Sequence, residues 1–197
     1  MTLSTRQRGT LQWTGEHWVA MLRREDTGDD TAIVSHYSLR ISPAGEGNVA
    51  VIRITGENGL HAVCTDQPQL LDFALPRFFS KVSYWRPDLP ALRCQFTRTG
   101  DATRDPGWRI ETESNRTIEV RWRISQPPEV INTPWRNNQD VFSILYFTDR
   151  ATVQLDGEPF LGQPYLRDIW RDTLGGDRSS CVVALAESFF DVCEPVK

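Results

Sequence analysis

Trp108-Arg109-Ile110-Glu111-Thr112-Glu113-Ser114-Asn115-Arg116-Thr117-Ile118-Glu119-Val120-Arg121-Trp122-Arg123-Ile124 alternates apolar and charged side chains with a period of two on either side of a polar break. Such alternation places one set of side chains on a dry face and the other in water, which is the signature of two half-buried strands. A three-residue loop, Glu113-Ser114-Asn115, pairs Ile110 with Ile118 and sets Arg109 opposite Glu119. A register shifted by two would instead place Arg109 against Arg121 and Glu111 against Glu119, so charge pairing favours the first. Asn115 suits the left-handed position which that loop requires.

Downstream, Val141 to Thr148 is apolar on both parities and is the candidate central strand, running through Asp149-Arg150 into Ala151 to Leu155 as a hairpin partner and stopping at Asp156-Gly157. Upstream, Leu11 and Trp13, then Trp18, Ala20 and Leu22, read as two short strands around Thr14-Gly15. Ile33 to Ile41 and Val49 to Ile54 follow as longer ones. Asn58-Gly59 offers a type I′ turn in which Glu57 pairs with Leu60 and Ile54 faces Val63. Asp66 and Pro68 predict a short helix to Leu75, Phe78 to Trp85 an extended edge segment, and Leu92, Cys94 and Phe96 another strand. Asn132 to Asp140 reads as a polar loop. Pro164, the spacing of Leu166, Ile169, Trp170 and Leu174, and Gly175 as cap predict a helix over Tyr165 to Leu174, with a last strand over Ser179 to Phe190.

Strands at short spacing, with no βαβ alternation and no repeat, predict one all-β domain over 1–197, an antiparallel β-barrel or sandwich with two short helices. One late helix followed by one last strand resembles the lipocalin and wider calycin layout. Thr148-Asp149 after a strand resembles the start of that family's second motif, although Arg150 replaces its aromatic, and the nearest match to its first motif is Gly15-Glu16-His17-Trp18. The resemblance implies a barrel with a helix packed outside.

A net charge of -4 with interspersed signs gives no field that would hold a nucleic acid or an anionic membrane. The arginines of the Trp108 hairpin lie on the face opposite its tryptophans, so bases could not stack where phosphates bind. The first ten residues carry no apolar leader and no run approaches a membrane span, so a cytoplasmic location is expected. Cys64, Cys94, Cys181 and Cys193 lack metal-binding spacing, and four reduced thiols are expected. His17, His36 and His61 are isolated, so neither a metal nor another cofactor is expected. The glycines before Cys181 connect a helix to a strand, the reverse of a phosphate loop. Oligomeric state is left open.

Glu187 shares parity with Cys181, Val183, Leu185 and Phe189 in a strand that is apolar on both faces. A carboxyl there needs a cation, donors, or a raised pKa that would suit a general acid. Arg53 poses the same question with opposite sign; an Arg53–Glu187 pair, or strand ends reaching solvent, would answer both. Two functional readings follow. The first is a small-molecule binding protein whose interior pocket for an apolar or aromatic ligand is lined by Tyr37, Trp108, Trp122 and Tyr146. The alternative is a cofactor-free enzyme of hydrolase, isomerase or lyase type with Glu187 and His36 as acid and base. A protein-interaction module using the aromatic edge Phe78 to Trp85 is a further option.

Overall fold

The computed structural model describes residues 9–25, 28–134 and 139–192. It contains β1 (Gly9–Arg23), β2 (Asp30–Ile41), β3 (Gly47–Ile54), β4 (Leu60–Thr65), β5 (Ala91–Thr99), β6 (Gly107–Thr112), β7 (Thr117–Arg123), β8 (Glu129–Pro134), β9 (Gln139–Phe147), β10 (Arg150–Leu155), β11 (Glu158–Phe160), β12 (Leu166–Arg167), β13 (Arg178–Ser179) and β14 (Val182–Val192). Twelve of these strands form one sheet in the order β11-β10-β7-β6-β5-β4-β3-β2-β1-β14-β9-β8, while β12 and β13 pair separately. The fold is all-β with two short helical segments, but β11 and β8 do not meet, so the sheet is not a closed barrel.

Every neighbouring pair is antiparallel except β4 and β5, which run parallel from Val63↔Ala91 to Thr65↔Arg93. Parallel neighbours need a long crossover. Residues 66–90 provide it, carrying a helical segment from Pro68 to Phe79 across one face before the chain re-enters the sheet. At this junction the sheet doubles back. The half containing β1–β4 and β14 then faces the half containing β5–β7 and β10 across an inner core of Trp18, Val34, Ile52, Ile110, Val120 and Trp122, among others. Trp18 lies 5.9 Å from Trp108 and 5.2 Å from Trp122, and Trp122 Nε1 donates to the Val19 carbonyl at 2.7 Å. A second, outer core covers the other face of β1–β3, β9 and β14 with Leu70, Ala74, Phe79 and Tyr84 from the crossover.

The Trp108 hairpin has the expected register, with Ile110↔Ile118, Arg109↔Glu119 and Asn115 at φ 61°. Elsewhere the alternation misleads. The two predicted N-terminal strands are one fifteen-residue strand, β1, kept continuous by bulges rather than broken at Thr14-Gly15. Val141 to Phe147 lies in an inner strand, β9, paired with β8 and β14, but β10 joins β7 and β11 in the facing half. Thr148-Asp149 is therefore a crossing between halves and not a hairpin turn. Ile54 pairs with Leu60 instead of Val63, because Asn58 does not take the positive φ of a type I′ turn and Gly56, at φ 118°, turns a longer loop.

Phe78 to Trp85 is not an edge strand. Residues 75–79 continue the helical crossover, and Phe78, Val82 and Trp85 pack on the outer core, so this aromatic stretch is used internally. Residues 132–134 of the expected loop belong to strand β8, residues 139 and 140 begin β9, and residues 135–138 lie outside the described residues. The second helix is shorter than its pattern, covering Asp168–Trp170 and Arg171–Leu174, because Leu166 and Arg167 pair with Ser179 and Arg178. Gly175 caps it at φ 73° as expected.

Gly15 sits at a bulge, where an added Cβ would overlap the Ser38 carbonyl oxygen of β2. Gly15→Ala is expected to lower stability by about 1–3 kcal/mol through forced separation of β1 and β2. Urea unfolding of the variant against the parent measures this; a change under about 0.5 kcal/mol would show that the strands yield freely.

Candidate active site

Strand β14 loses register with both neighbours around Leu185–Glu187. Its pairing with β1 jumps from Gly15↔Glu187 to His17↔Ala184, and its pairing with β9 breaks between Ala184 and Ser188. A bulge inserts an unpaired residue and re-aims the side chains beyond it. Val183 and, in part, Leu185 belong to the inner core, whereas Phe189 packs on the outer one. The parity that grouped Glu187 with Val183 is therefore reversed at the bulge, and Glu187 comes to the outer face beside His17.

There Glu187 Oε1 lies 3.8 Å from His17 Nδ1, and Ser143 of β9 donates its hydroxyl to Glu187 Oε2 at 3.4 Å. The His17 ring stacks on Tyr37 at 3.8 Å and 10°, and its Nε2 is 3.2 Å from Ser35 Oγ. Tyr37 stacks in turn on Phe78 at 4.1 Å and meets the edge of Trp13 at 5.7 Å. The rings fix the imidazole plane. The carboxyl and the imidazole edge retain a path to solvent, Glu187 being 12% and His17 21% exposed in their side chains.

Desolvation dominates the electrostatics. Burial pushes the Glu187 carboxyl up to about 7, offset in part by the Ser143 hydrogen bond. Burial, with a smaller contribution from His36, lowers His17 to about 3, so its imidazole is neutral at pH 7. Burial and then the Glu187 charge raise the Tyr37 phenol well above its ordinary value. At neutral pH the site thus presents a carboxyl poised between its two protonation states beside a neutral imidazole and a neutral phenol. Such a group can both give and take a proton.

His36, the expected partner of Glu187, lies on the opposite face. It is fully buried, stacked with Phe96 and set edge-on to Trp108. Asp66 accepts from Asn48 Nδ2 at 2.6 Å, which leaves Asn48 Oδ1 to accept from His36 Nε2 at 2.9 Å. Burial, ahead of the opposing Asn48 bond, lowers its pKa to about 4. His17 takes the place beside Glu187 expected of His36, and sequence reasoning missed it because the bulge that joins it to Glu187 leaves no mark on the apolar alternation. No Arg53–Glu187 pair forms, since Arg53 Nη2 instead lies 3.9 Å from Asp30.

Of the four residues expected to line one pocket, Trp108 and Trp122 are inner core and Tyr146 packs against it, while Tyr37 belongs to the outer face. The sheet separates Tyr37 from the other three. A surface recess of about 490 Å³ lies elsewhere, between Gly56–Asn58 and the β10–β11 edge, and holds none of the candidate residues. Cys64, Cys94 and Cys181 are buried free thiols, and Cys193 lies outside the described residues. Burial lifts the Cys181 thiol to about 12, far from a thiolate nucleophile at neutral pH. Lys81, the one lysine among the described residues, is exposed, so they supply no desolvated amine. Among the described residues no three His, Cys, Asp or Glu side chains gather as a metal site, and no helix is long and apolar enough to cross a membrane.

No family model matches this sequence, and no curated protein matches it. Among solved structures, the chain is similar to one from structural studies of acetoacetate decarboxylase, at a TM-score of 0.46 and 10% identity, with 95% of this chain and 88% of that chain covered. A likeness at that level assigns neither residues nor chemistry.

Proposed function

We propose that this protein is an enzyme that moves a proton on a small organic molecule at the outer face of its sheet, with Glu187 as the general acid and base. One observation carries the reading: a carboxyl raised by burial to about 7 is turned by a bulge toward solvent-reachable His17. A carboxyl buried only for packing would need a cation or a full set of donors. Glu187 has one hydroxyl donor at 3.4 Å and a neutral imidazole at 3.8 Å. Ser143 holds the carboxyl, the stacked rings of Tyr37 and Phe78 hold the imidazole, and the aromatic surface of Trp13 offers an apolar wall. The chemistry requires no group beyond these side chains, in keeping with an isomerase, lyase or hydrolase. Small-molecule binding remains part of this reading, with Tyr37 in the site and Trp108, Trp122 and Tyr146 outside it.

The test is a panel of small carbonyl compounds, esters and hydroxy acids followed by proton NMR in D2O, where solvent exchange at carbon or net conversion reports proton transfer. Activity with an inflection near pH 7 supports the proposal. Activity unaffected by Glu187→Gln would reject it.

A further inference from the structure

About four residues along β1 from His17, at Met21, the same outer face carries a second group of charged side chains. Arg23 Nε pairs with Asp30 Oδ1 at 2.9 Å, and its guanidinium lies 3.6 Å over the Tyr165 ring. Arg53 reaches the same carboxylate only at 3.9 Å and the Asp30 carbonyl at 3.5 Å, and its buried Nε has no hydrogen-bond partner among the described atoms. Arg167 has no carboxylate within ion-pair distance among the described residues; its Nη1 rests on the Met21 sulfur at 3.2 Å, a weak acceptor. Asp30 therefore faces more positive charge than it can neutralise. Tyr84 closes the group: burial raises its phenol pKa, the Ser35 side chain and the Arg167 charge lower it, and the Asp30 charge raises it.

We propose that this cluster binds the anionic end of the substrate, a carboxylate or phosphate oxyanion held by Arg53 and Arg167. That the bound anion is part of a substrate rests on the proton-transfer function proposed above. Guanidinium groups with unused donors match the paired oxygens of such a head group, and partial burial strengthens the attraction. Ser35 lies between the two places: its hydroxyl is 3.2 Å from His17 Nε2, and its side chain acts on the Tyr84 phenol. With strand rise near 3.3 Å per residue, His17 and Met21 are about 13 Å apart along β1. The molecule is thus elongated, its anionic group at Arg167 and its reacting carbon at Glu187.

Calorimetric titration of the full chain with acetate, malonate and inorganic phosphate at constant ionic strength tests the site. At least one of them should bind saturably, and the preferred one identifies the head group. Arg167→Met should weaken binding at least about tenfold, the loss expected for a charge-assisted hydrogen bond, and Arg167→Lys less. Arg171→Met, whose guanidinium is already paired with Asp177, should leave it unchanged. Absence of saturable binding by all three anions, or equal binding by Arg167→Met, would overturn the site. Glu187→Gln separates the two proposals, since it should cut turnover at least about a hundredfold yet keep anion affinity within about twofold. Anion binding that survives alongside undiminished turnover in Glu187→Gln would reject the proton-transfer role and leave the anion site standing.

Discussion

On the proposed function, Glu187→Gln is expected to cut turnover at least about a hundredfold while making the folded protein more stable in alkaline solution. The catalytic loss follows from removing the group that transfers the proton, about 10²- to 10⁴-fold for a positioned acid or base. The gain in stability follows from linkage. The Glu187 carboxyl moves from an ordinary 4.5 to about 7 on folding, so between those values the folded state binds more protons than the unfolded one. Stability contributed by Glu187 is complete below pH 4.5 and is lost as pH rises through 7, after which the curve is level. A glutamine in its place does not titrate and has no such slope. The difference in unfolding free energy between variant and parent should grow from pH 4.5 and reach up to about 3 kcal/mol above pH 8, since a tenfold change in proton affinity corresponds to ~1.4 kcal/mol. His17 acts in the opposite direction: its folded value near 3 is depressed, so its contribution is lost as pH falls from 6.5 toward 3. That loss is common to both proteins and cancels in their difference. Denaturant titrations at pH 5, 7 and 9 measure the effect, and equal curves for the two proteins at pH 9 would show Glu187 to be well solvated or paired.

Trp122→Leu should cost roughly 3 kcal/mol of stability and leave turnover per folded molecule unchanged. Trp122 is 1% exposed, packs on Trp18 and spends its one donor on Val19 across the two halves of the sheet. Leucine fills only part of that volume, leaving a cavity and removing the hydrogen bond that ties the two halves together, each a recognised source of destabilisation. The site is on the other face, so kcat and anion affinity should persist below the lowered melting temperature. A fall in ligand affinity larger than the fall in stability would restore the inner aromatics to the binding site.

Local patterning was legible wherever one strand face meets water. The Trp108 hairpin declared its strands, register and turn residue because misplacing Arg109 or Glu119 by one position would bury a charge. It was least legible in β9 and β14, whose apolar character on both faces is the same whether the neighbour is in the same half-sheet or the facing one. The doubling back at the β4–β5 junction, the crossing at Thr148-Asp149 and the open edges were therefore invisible.

The candidate site divides in the same way. Sequence alone determined that Glu187 was a carboxyl in a strand apolar on both parities, since that requires only its neighbours along the chain. It could not determine which face Glu187 occupies, because a bulge of one residue reverses parity without altering composition. The tertiary structure decided that, exchanging His36 for His17 as the neighbour, Glu187 for Asp30 as the partner of Arg53, and the inner aromatics for the outer face. These choices depend on the register between strands distant in sequence, and side-chain identity constrains that register only where a wrong pairing would strand a charge.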